Sequence, residues 1–376
     1  MVLNKKISVV QVLPDLNSGG VERGTLEVNK YLASKGHRSI VISNGGRMKN
    51  QIEMDKGEHF KLPIGEKNIF IFFVIFKLIK FLKKNKIDVI HARSRLPAWV
   101  CFLALKLLKK NRRPIFITTV HGSYSVNFYS SIMTKGDKVI VVSKSIKKYV
   151  MKNYNIDERK IILNYRGVSS KDYFQGYKPT KKWLKTWYKQ FPETENKILF
   201  SIPARITRWK GQDKFLLLIK KIKDINPMVY GLIIGDDQKK ILFCRKLKSK
   251  IKKMGLDKNI KIVGHRTDLK EIMSISKIVF SLSSPPEAFG RVTLESLSIG
   301  TPVIAYSHGG VKEQLDELQP SGLVRIGDIN HAISLSNKFL KTSPIIKKND
   351  LFTLERMLVN TLCLYKKCVF EKNSYL

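Results

Sequence analysis

The sequence predicts an α/β protein made of two doubly wound parallel-sheet domains. Short apolar runs of strand length alternate with helical patterns along the chain, as in a parallel sheet covered by helices on both faces. The alternation lapses once, between Gly167 and Lys182, into Ser, Asp, Gly and Pro, and then restarts. At 376 residues with 43% hydrophobic content, the chain is long for one core and can fill two.

In the first half, Ile7–Leu13 reads as a strand, Val21–Lys35 as a helix and Arg38–Ser43 as a strand after the break at Gly36. Asp88–His91 is a short strand, Ala98–Leu108 a helix and Pro114–Val120 a strand. Lys138–Val142 and Ser143–Lys152 form a further strand–helix pair, and Ile161–Leu163 is a last short strand. These elements place a first domain over residues 1–170. The second half runs strand Lys197–Ile202, helix Gln212–Ile225, strand Val229–Ile234, helix Lys239–Met254, strand Ile260–Val263 and helix Asp268–Ile275. It continues with strand Lys277–Leu282, helix Gly290–Ile299 stopped by Gly300, and the strand-like Pro302–Ala305 and Gly322–Arg325. A second domain therefore spans residues 171–350, and a final helix from about Leu351 to Cys368 follows the polar Lys347-Lys348-Asn349-Asp350.

Composition narrows the function. No stretch of about 20 apolar residues is free of charge, so no transmembrane helix is expected. The charged Met1–Lys6 leads into an apolar run too short for a signal-peptide core, and reads as the approach to the first strand. Cys101, Cys244, Cys363 and Cys368 form no CxxC and have no paired histidines nearby, which argues against a zinc site and a disulfide framework and for a cytoplasmic setting. The net charge of +40 calls for a polyanion, an anionic membrane surface, or a plain lysine bias without a specific partner. Basic residues are spread along the whole chain and no short nucleic-acid-binding signature is present, so nucleic acid is not the expected partner.

The segment Ser281–Glu295 carries the most chemistry. Ser283–Pro286 forbids continuation of the strand, so Glu287 falls in the loop and Glu295, eight positions on, lies about a turn into the next helix. Ligands of open α/β sheets bind at this carboxyl edge, and a fresh helix N-terminus favours an anion. Two carboxylates beside an anion site fit a ligand with both phosphates and hydroxyls, such as a nucleotide sugar. On the local pattern alone, Glu287 is equally a helix-start charge and Glu295 an exposed helix residue.

Arg205 and Lys210, five positions apart between a strand and a helix, can clamp a pyrophosphate as a fork and a point charge, or can be solvated loop charges in so basic a chain. Ser307-His308-Gly309-Gly310-Val311 adds glycines after another strand, where backbone can approach a phosphate closely. In Asn17-Ser18-Gly19-Gly20, the glycines open a helix after the first strand, a phosphate loop by position but neither GxGxxG nor Walker A. His121 follows the strand Pro114–Val120 at a carboxyl edge, which makes it an active-site candidate.

Taken together, GGVER from Gly19, His121-Gly122, ARxxxxKG from Ala204, EAFGRVTLE from Glu287 and GTPVIAYSHGG from Gly300 resemble the retaining glycosyltransferases of family four, also called glycosyl transferases group one. The resemblance runs over essentially the whole chain. It implies a GT-B fold: two Rossmann-like domains facing across a cleft, the first serving the acceptor and the second the donor. The final helix, about 351–376, would cross back to the first domain. By motif it also implies that Arg205 and Lys210 contact the donor diphosphate and stabilise the departing charge, so that neither metal nor cofactor is required. Glu295 would accept from ribose hydroxyls. Glu287 would hold sugar hydroxyls near the reacting carbon, helped by backbone N–H groups of Phe289, Gly290 and Arg291. Gly19 and Gly20 would let the first loop approach donor phosphates and acceptor, and His121 would contact the donor sugar.

The implied reaction is hexosyl transfer from a nucleotide diphosphate sugar to a hydroxyl of a glycan or lipid-linked acceptor, in envelope glycan synthesis of the lipopolysaccharide kind. Anomeric configuration would be retained by same-face attack, with the leaving phosphate taking the acceptor proton. Two departures stand out: Asp236-Asp237-Gln238 replaces the usual Gly-Pro turn, and Arg291 stands where an apolar residue is common. The competing readings are a basic nucleic-acid-binding protein on a Rossmann-like scaffold, and a GT-B epimerase or phosphorylase.

A membrane contact is also open. In Ile69–Lys86, Phe72, Ile75, Phe76, Ile79 and Leu82 form one stripe at helical spacing. Phe73, Val74, Leu78 and Phe81 spread the apolar surface almost all round, leaving Lys77, Lys80 and Lys84 as a narrow polar edge. Such a helix is either covered on both sides or touches an anionic bilayer, with the protein held peripherally on the inner face of the cytoplasmic membrane. Trp183, Leu184, Trp187 and Tyr188 on one side of Lys181–Lys189 suit either purpose.

Overall fold

The structure is a computed structural model of the chain and describes residues 5–17, 19–66, 71–236 and 241–374. Ser18, the Ile69-Phe70 start of the aromatic segment, Asp237 and Gln238, and the first two positions of the expected helix Lys239–Met254 lie outside the described residues. The chain forms two compact units, Met1–Arg166 with Glu355–Leu376, and Gly167–Leu354.

The first unit holds strands β1 (Ser8–Val12), β2 (Arg38–Ser43), β3 (Glu58–Lys61), β4 (Val89–Ala92), β5 (Ile115–Val120), β6 (Lys138–Val141) and β7 (Ile161–Leu163). They pair in parallel in the order β3-β2-β1-β4-β5-β6-β7. The chain starts mid-sheet, builds to one edge, returns beside β1 and builds to the other edge. The order therefore reverses between β1 and β4, which opens a crevice at their carboxyl ends. Strands β1, β4 and β5 are buried along their whole length, which explains their largely apolar sequences. The edge strand β3 and the short helix Lys49–Met54 have no apolar run, and the sequence pattern passes over both.

The helix Leu354–Ser374 belongs to this first unit, with its Tyr365 hydroxyl 2.6 Å from His91 Nδ1. Asn164 Nδ2 donates to Met357 O at 3.2 Å and Thr361 Oγ1 at 2.9 Å on the same helix. The helix starts later than its apolar pattern because Phe352 is buried and its N–H donates to Asn349 Oδ1, closing a turn first.

The helix Ile71–Lys84 buries Val74, Ile75, Leu78, Ile79 and Leu82, a single stripe at helical spacing. The expected stripe is thus divided, because Phe72 and Phe76 face out while Ile75, Ile79 and Leu82 face in. No helix among the described residues is long and apolar enough to cross a membrane.

The second unit holds β8 (Ile198–Pro203), β9 (Val229–Ile234), β10 (Ile260–Gly264), β11 (Ser276–Ser281), β12 (Val303–Tyr306) and β13 (Leu323–Val324). Their order is β10-β9-β8-β11-β12-β13, again parallel, and it reverses between β8 and β11. Phe280 packs 5.4 Å from both Phe200 and Phe215 at the heart of one core layer. The other face is closed by the helix Lys181–Gln190, whose Trp187 is 1% exposed and stacks 5.3 Å from Trp183. This corrects the membrane option for Lys181–Lys189: Trp183 Nε1 donates to Asp268 Oδ2 at 2.8 Å, and the aromatic face serves the core. The helices Gly309–Leu318 and Ile329–Lys341 are two further elements the pattern left unassigned. One begins with two glycines and the other is rich in Ser and Asn, both weak helix signals.

Candidate functional site

In the second unit, three loops converge at the carboxyl ends of adjacent strands around the reversal point. Residues 204–211 follow β8, residues 282–290 follow β11, and residues 307–308 follow β12. The loops are tied by main-chain bonds: Ser284 N donates to Trp209 O at 2.8 Å and Gly310 N donates to Glu287 O at 2.8 Å. His308 Nε2 lies 2.8 Å from Ser283 O.

Gly211 caps the helix Gln212–Lys223 with φ 82°, and a Cβ there would stand 2.3 Å from Leu282 O. Only glycine allows the first two loops to approach this closely. A Cβ on Gly310 would stand 2.6 Å from Ala288 O. Gly309 and Gly310 thus approach the Glu287 loop closely and clasp it.

This cluster brings the predicted charges together as two ion pairs. Lys210 Nζ lies 2.6 Å from Glu287 Oε1, which also accepts from Ser283 Oγ at 2.9 Å. Arg291 Nε lies 2.9 Å from Glu295 Oε1, one turn along the helix Arg291–Ser298. Glu295 is only 3% exposed, so it is no surface helix residue. Gly290 is the N-cap of that helix and carries no side chain to cap it. Arg205 shares the Lys210 loop but its side chain is exposed. Phe289 is buried, 6.1 Å from the Phe352 ring, so its side chain is structural.

Sequence reasoning missed two buried glutamines that hold these loops. Gln212 Nε2 donates to Arg205 O at 3.0 Å and Gln314 Nε2 donates to Phe289 O at 2.6 Å. Each stands on a helix right after a motif loop, at 0% exposure. A polar residue at a core position of the helical period was the available signal.

In the first unit, Gly19 and Gly20 are exposed at the start of the helix Gly20–Ser34, after β1. His121 follows β5 and its Nδ1 lies 3.3 Å from Arg166 Nη2. A guanidinium only donates, so Nδ1 accepts and the neutral ring carries its proton on Nε2. That Nε2 is buried and has no partner among the described residues, and neither has Asn164 Oδ1. Both residues line a cavity of about 20 Å³ with His91, Arg93, Thr119 and Arg166, room for one bridging water.

Burial keeps these imidazoles neutral. It holds His121 well below its ordinary value, assisted by Arg166 and Arg93. It does the same to His91, again with Arg93 and Arg166 nearby. Burial, with Lys366 and Lys6 nearby, brings His37 from 6.5 to about 4. The unfolded chain thus binds protons that the folded chain refuses. The linked stability is complete above pH 6.5 and is lost as pH falls towards 4. Urea unfolding should show a lower midpoint at pH 5 than at pH 7.5, with His37→Gln flattening part of the difference.

Two family descriptions match the chain, glycosyltransferase family 4 over residues 18–172 and glycosyl transferases group 1 over residues 183–350. The chain belongs to these glycosyltransferases. A crystal structure of a glycosyltransferase from Rickettsia africae superposes with a TM-score of 0.84 at 31% identity, covering 97% of this chain and 99% of that one. The two parallel sheets are thus those of a GT-B glycosyltransferase. An Escherichia coli UDP-Gal:alpha-D-GlcNAc-diphosphoundecaprenol alpha-1,3-galactosyltransferase is 25% identical over 358 residues, 88% of this chain and 86% of the relative. A Staphylococcus aureus capsular polysaccharide biosynthesis glycosyltransferase, CapH, is 26% identical over 262 residues, 69% of this chain and 70% of the relative. This glycosyltransferase therefore has relatives in envelope and capsule polysaccharide synthesis. Among its described residues, no group of three or more His, Cys, Asp or Glu side chains is arranged to hold a metal ion.

Proposed function

We propose that this glycosyltransferase moves a hexose from a nucleotide diphosphate sugar to a hydroxyl of a lipid-linked or polysaccharide acceptor, with retention and without a metal. The observation that carries the reading is the pair of ion pairs, Lys210–Glu287 and Arg291–Glu295, gathered at the β8/β11 reversal. Each carboxylate is held by a cation that a diphosphate would also attract. A bound donor then places its diphosphate against Lys210, with Arg205 swinging in from solvent, and frees Glu287 for sugar hydroxyls. Glu295 takes the ribose diol, and N–H groups at Phe289, Gly290 and Arg291 help Glu287 hold the sugar near its reacting carbon.

In the reaction the bond from the anomeric carbon to the β-phosphate oxygen breaks and a bond to the acceptor oxygen forms on the same face. The acceptor proton passes to the leaving phosphate oxygen. Arg205 and Lys210 stabilise the charge that develops there, the work a divalent cation does elsewhere. With Glu287 engaged by sugar hydroxyls and Glu295 by the ribose diol, neither carboxylate serves as a nucleophile, so the two-carboxylate route of retaining glycosidases is not used. In the first unit, Gly19 and Gly20 offer a side-chain-free approach for phosphate or acceptor, and His121, at the carboxyl end of β5, contacts the donor sugar.

The setting is envelope glycan assembly at the cytoplasmic face of a membrane. The Escherichia coli relative is named for UDP-Gal and a diphosphoundecaprenol-linked sugar, and the Staphylococcus aureus relative for capsule synthesis. The four cysteines form no disulfide, in keeping with a reducing compartment. Incubation with nucleotide sugars and lipid-linked acceptors in excess EDTA tests the chemistry. The expected result is nucleoside diphosphate release that needs acceptor, with the donor's anomeric configuration kept in the product by NMR. Inverted product, or activity lost in EDTA and restored by Mg²⁺, contradicts the reading.

A further inference from the structure

We propose that the outer face of the helix Ile71–Lys84 is a docking surface for an anionic lipid bilayer, inserting phenylalanines between headgroups. This deepens the reading of a lipid-linked acceptor and rests on it only for its purpose. On that face Phe72, Phe73 and Phe76 are 65%, 65% and 63% exposed. Three large apolar rings exposed among the described residues at one end of one helix are not an ordinary scatter of surface hydrophobics. Lys77, Lys80, Lys83 and Lys84 are exposed along the same helix. The neighbouring helix Arg95–Lys106 packs against it and adds exposed Leu103, Lys106 and, just past its end, Leu107.

The charge of this region is one-sided. Between Glu66 and Asp137 the sole acidic residue is Asp88, while basic residues recur throughout. The local chain thus offers the lysines beside the phenylalanines a single carboxylate, Asp88, which lies near Lys83 and Lys84 at the far end of the helix. A bilayer interface supplies what this face lacks, acyl chain for the rings and anionic headgroup for the ammonium groups, which reach outward on their long stems. The lysine spread that reads from the sequence as a general bias is here combined with exposed aromatics, which a mere bias does not explain.

The test is co-sedimentation of the full chain with vesicles of phosphatidylcholine alone or with phosphatidylglycerol. The expected result is binding that requires phosphatidylglycerol and weakens as salt is raised. Phe72→Ser/Phe73→Ser/Phe76→Ser should lower it at least about tenfold. Lys77→Gln/Lys80→Gln/Lys83→Gln/Lys84→Gln should lower it and reduce its salt dependence. Both variants should keep the wild-type melting temperature, the donor-induced thermal shift and turnover of a water-soluble acceptor. The proposal is overturned if the wild type stays in the supernatant at low salt, or if the phenylalanine variant binds vesicles like wild type. It is also overturned if those substitutions instead dissolve a dimer or abolish binding of single-stranded nucleic acid. Vesicle binding intact in a protein that neither binds donors nor turns over would leave this surface standing and remove the proposed reaction.

Discussion

Glu287→Ala is expected to lower turnover by roughly 10²- to 10³-fold, the range for removing a group aimed at the transition state, while nucleotide diphosphate binding is kept. Glu287 sits in the loop after β11, clasped by Gly310 N–H on its carbonyl and by Lys210 and Ser283 on its carboxylate. Its removal takes away the acceptor for sugar hydroxyls but leaves Lys210 unpaired and available to phosphate. Nucleoside diphosphate affinity by calorimetry should therefore stay level or rise. A fall in affinity in step with turnover would make Glu287 a structural anchor of the loop.

Lys210→Met is expected to cost turnover by a similar factor of roughly 10²- to 10³-fold, and to weaken nucleoside diphosphate binding as well. The ammonium is a point charge that Glu287 keeps in place before the donor arrives. The substitution also strands the Glu287 carboxylate without its cation, so the folded protein should lose stability in the free state. Combining Lys210→Met with Glu287→Gln should recover part of that loss, because the two residues share one interaction. Melting temperatures of the two single variants and the double variant test this. Strictly additive losses would show that the pair is incidental.

Much of the fold is legible in the chain because buried parallel strands announce themselves. The runs at β1, β5, β8 and β9 are mostly apolar and bounded by clear breaks. Strand β3 and the helix Lys49–Met54 lie at an edge and carry no such run, so only the three-dimensional pairing defines them. The loop position of Glu287 follows from Pro285 and Pro286, but the depth of Glu295 does not, since an i,i+4 Arg–Glu pair looks like an ordinary surface pair. Gly309 and Gly310 illustrate the limit well. Glycines after a strand signal close approach; the sequence points to a phosphate, and the Glu287 loop as a partner comes only from the structure. The stripe at Phe72 fails for a related reason. A helix apolar on nearly every side gives no single face, and only packing in the fold selects Val74, Ile75, Leu78, Ile79 and Leu82 for burial.

The central claim is that the loops at the β8/β11 reversal hold a nucleotide diphosphate sugar through its ribose and diphosphate. A thermal-shift panel of uridine-, guanosine- and adenosine-diphosphate sugars on wild type and Glu295→Ala tests it most directly. Stabilisation by one nucleotide class, weakened in the variant by the ~1.5–3 kcal/mol that a hydrogen bond to a charged group contributes, is the predicted result. No response of the wild type to any donor, or an undiminished response in Glu295→Ala, would contradict the account.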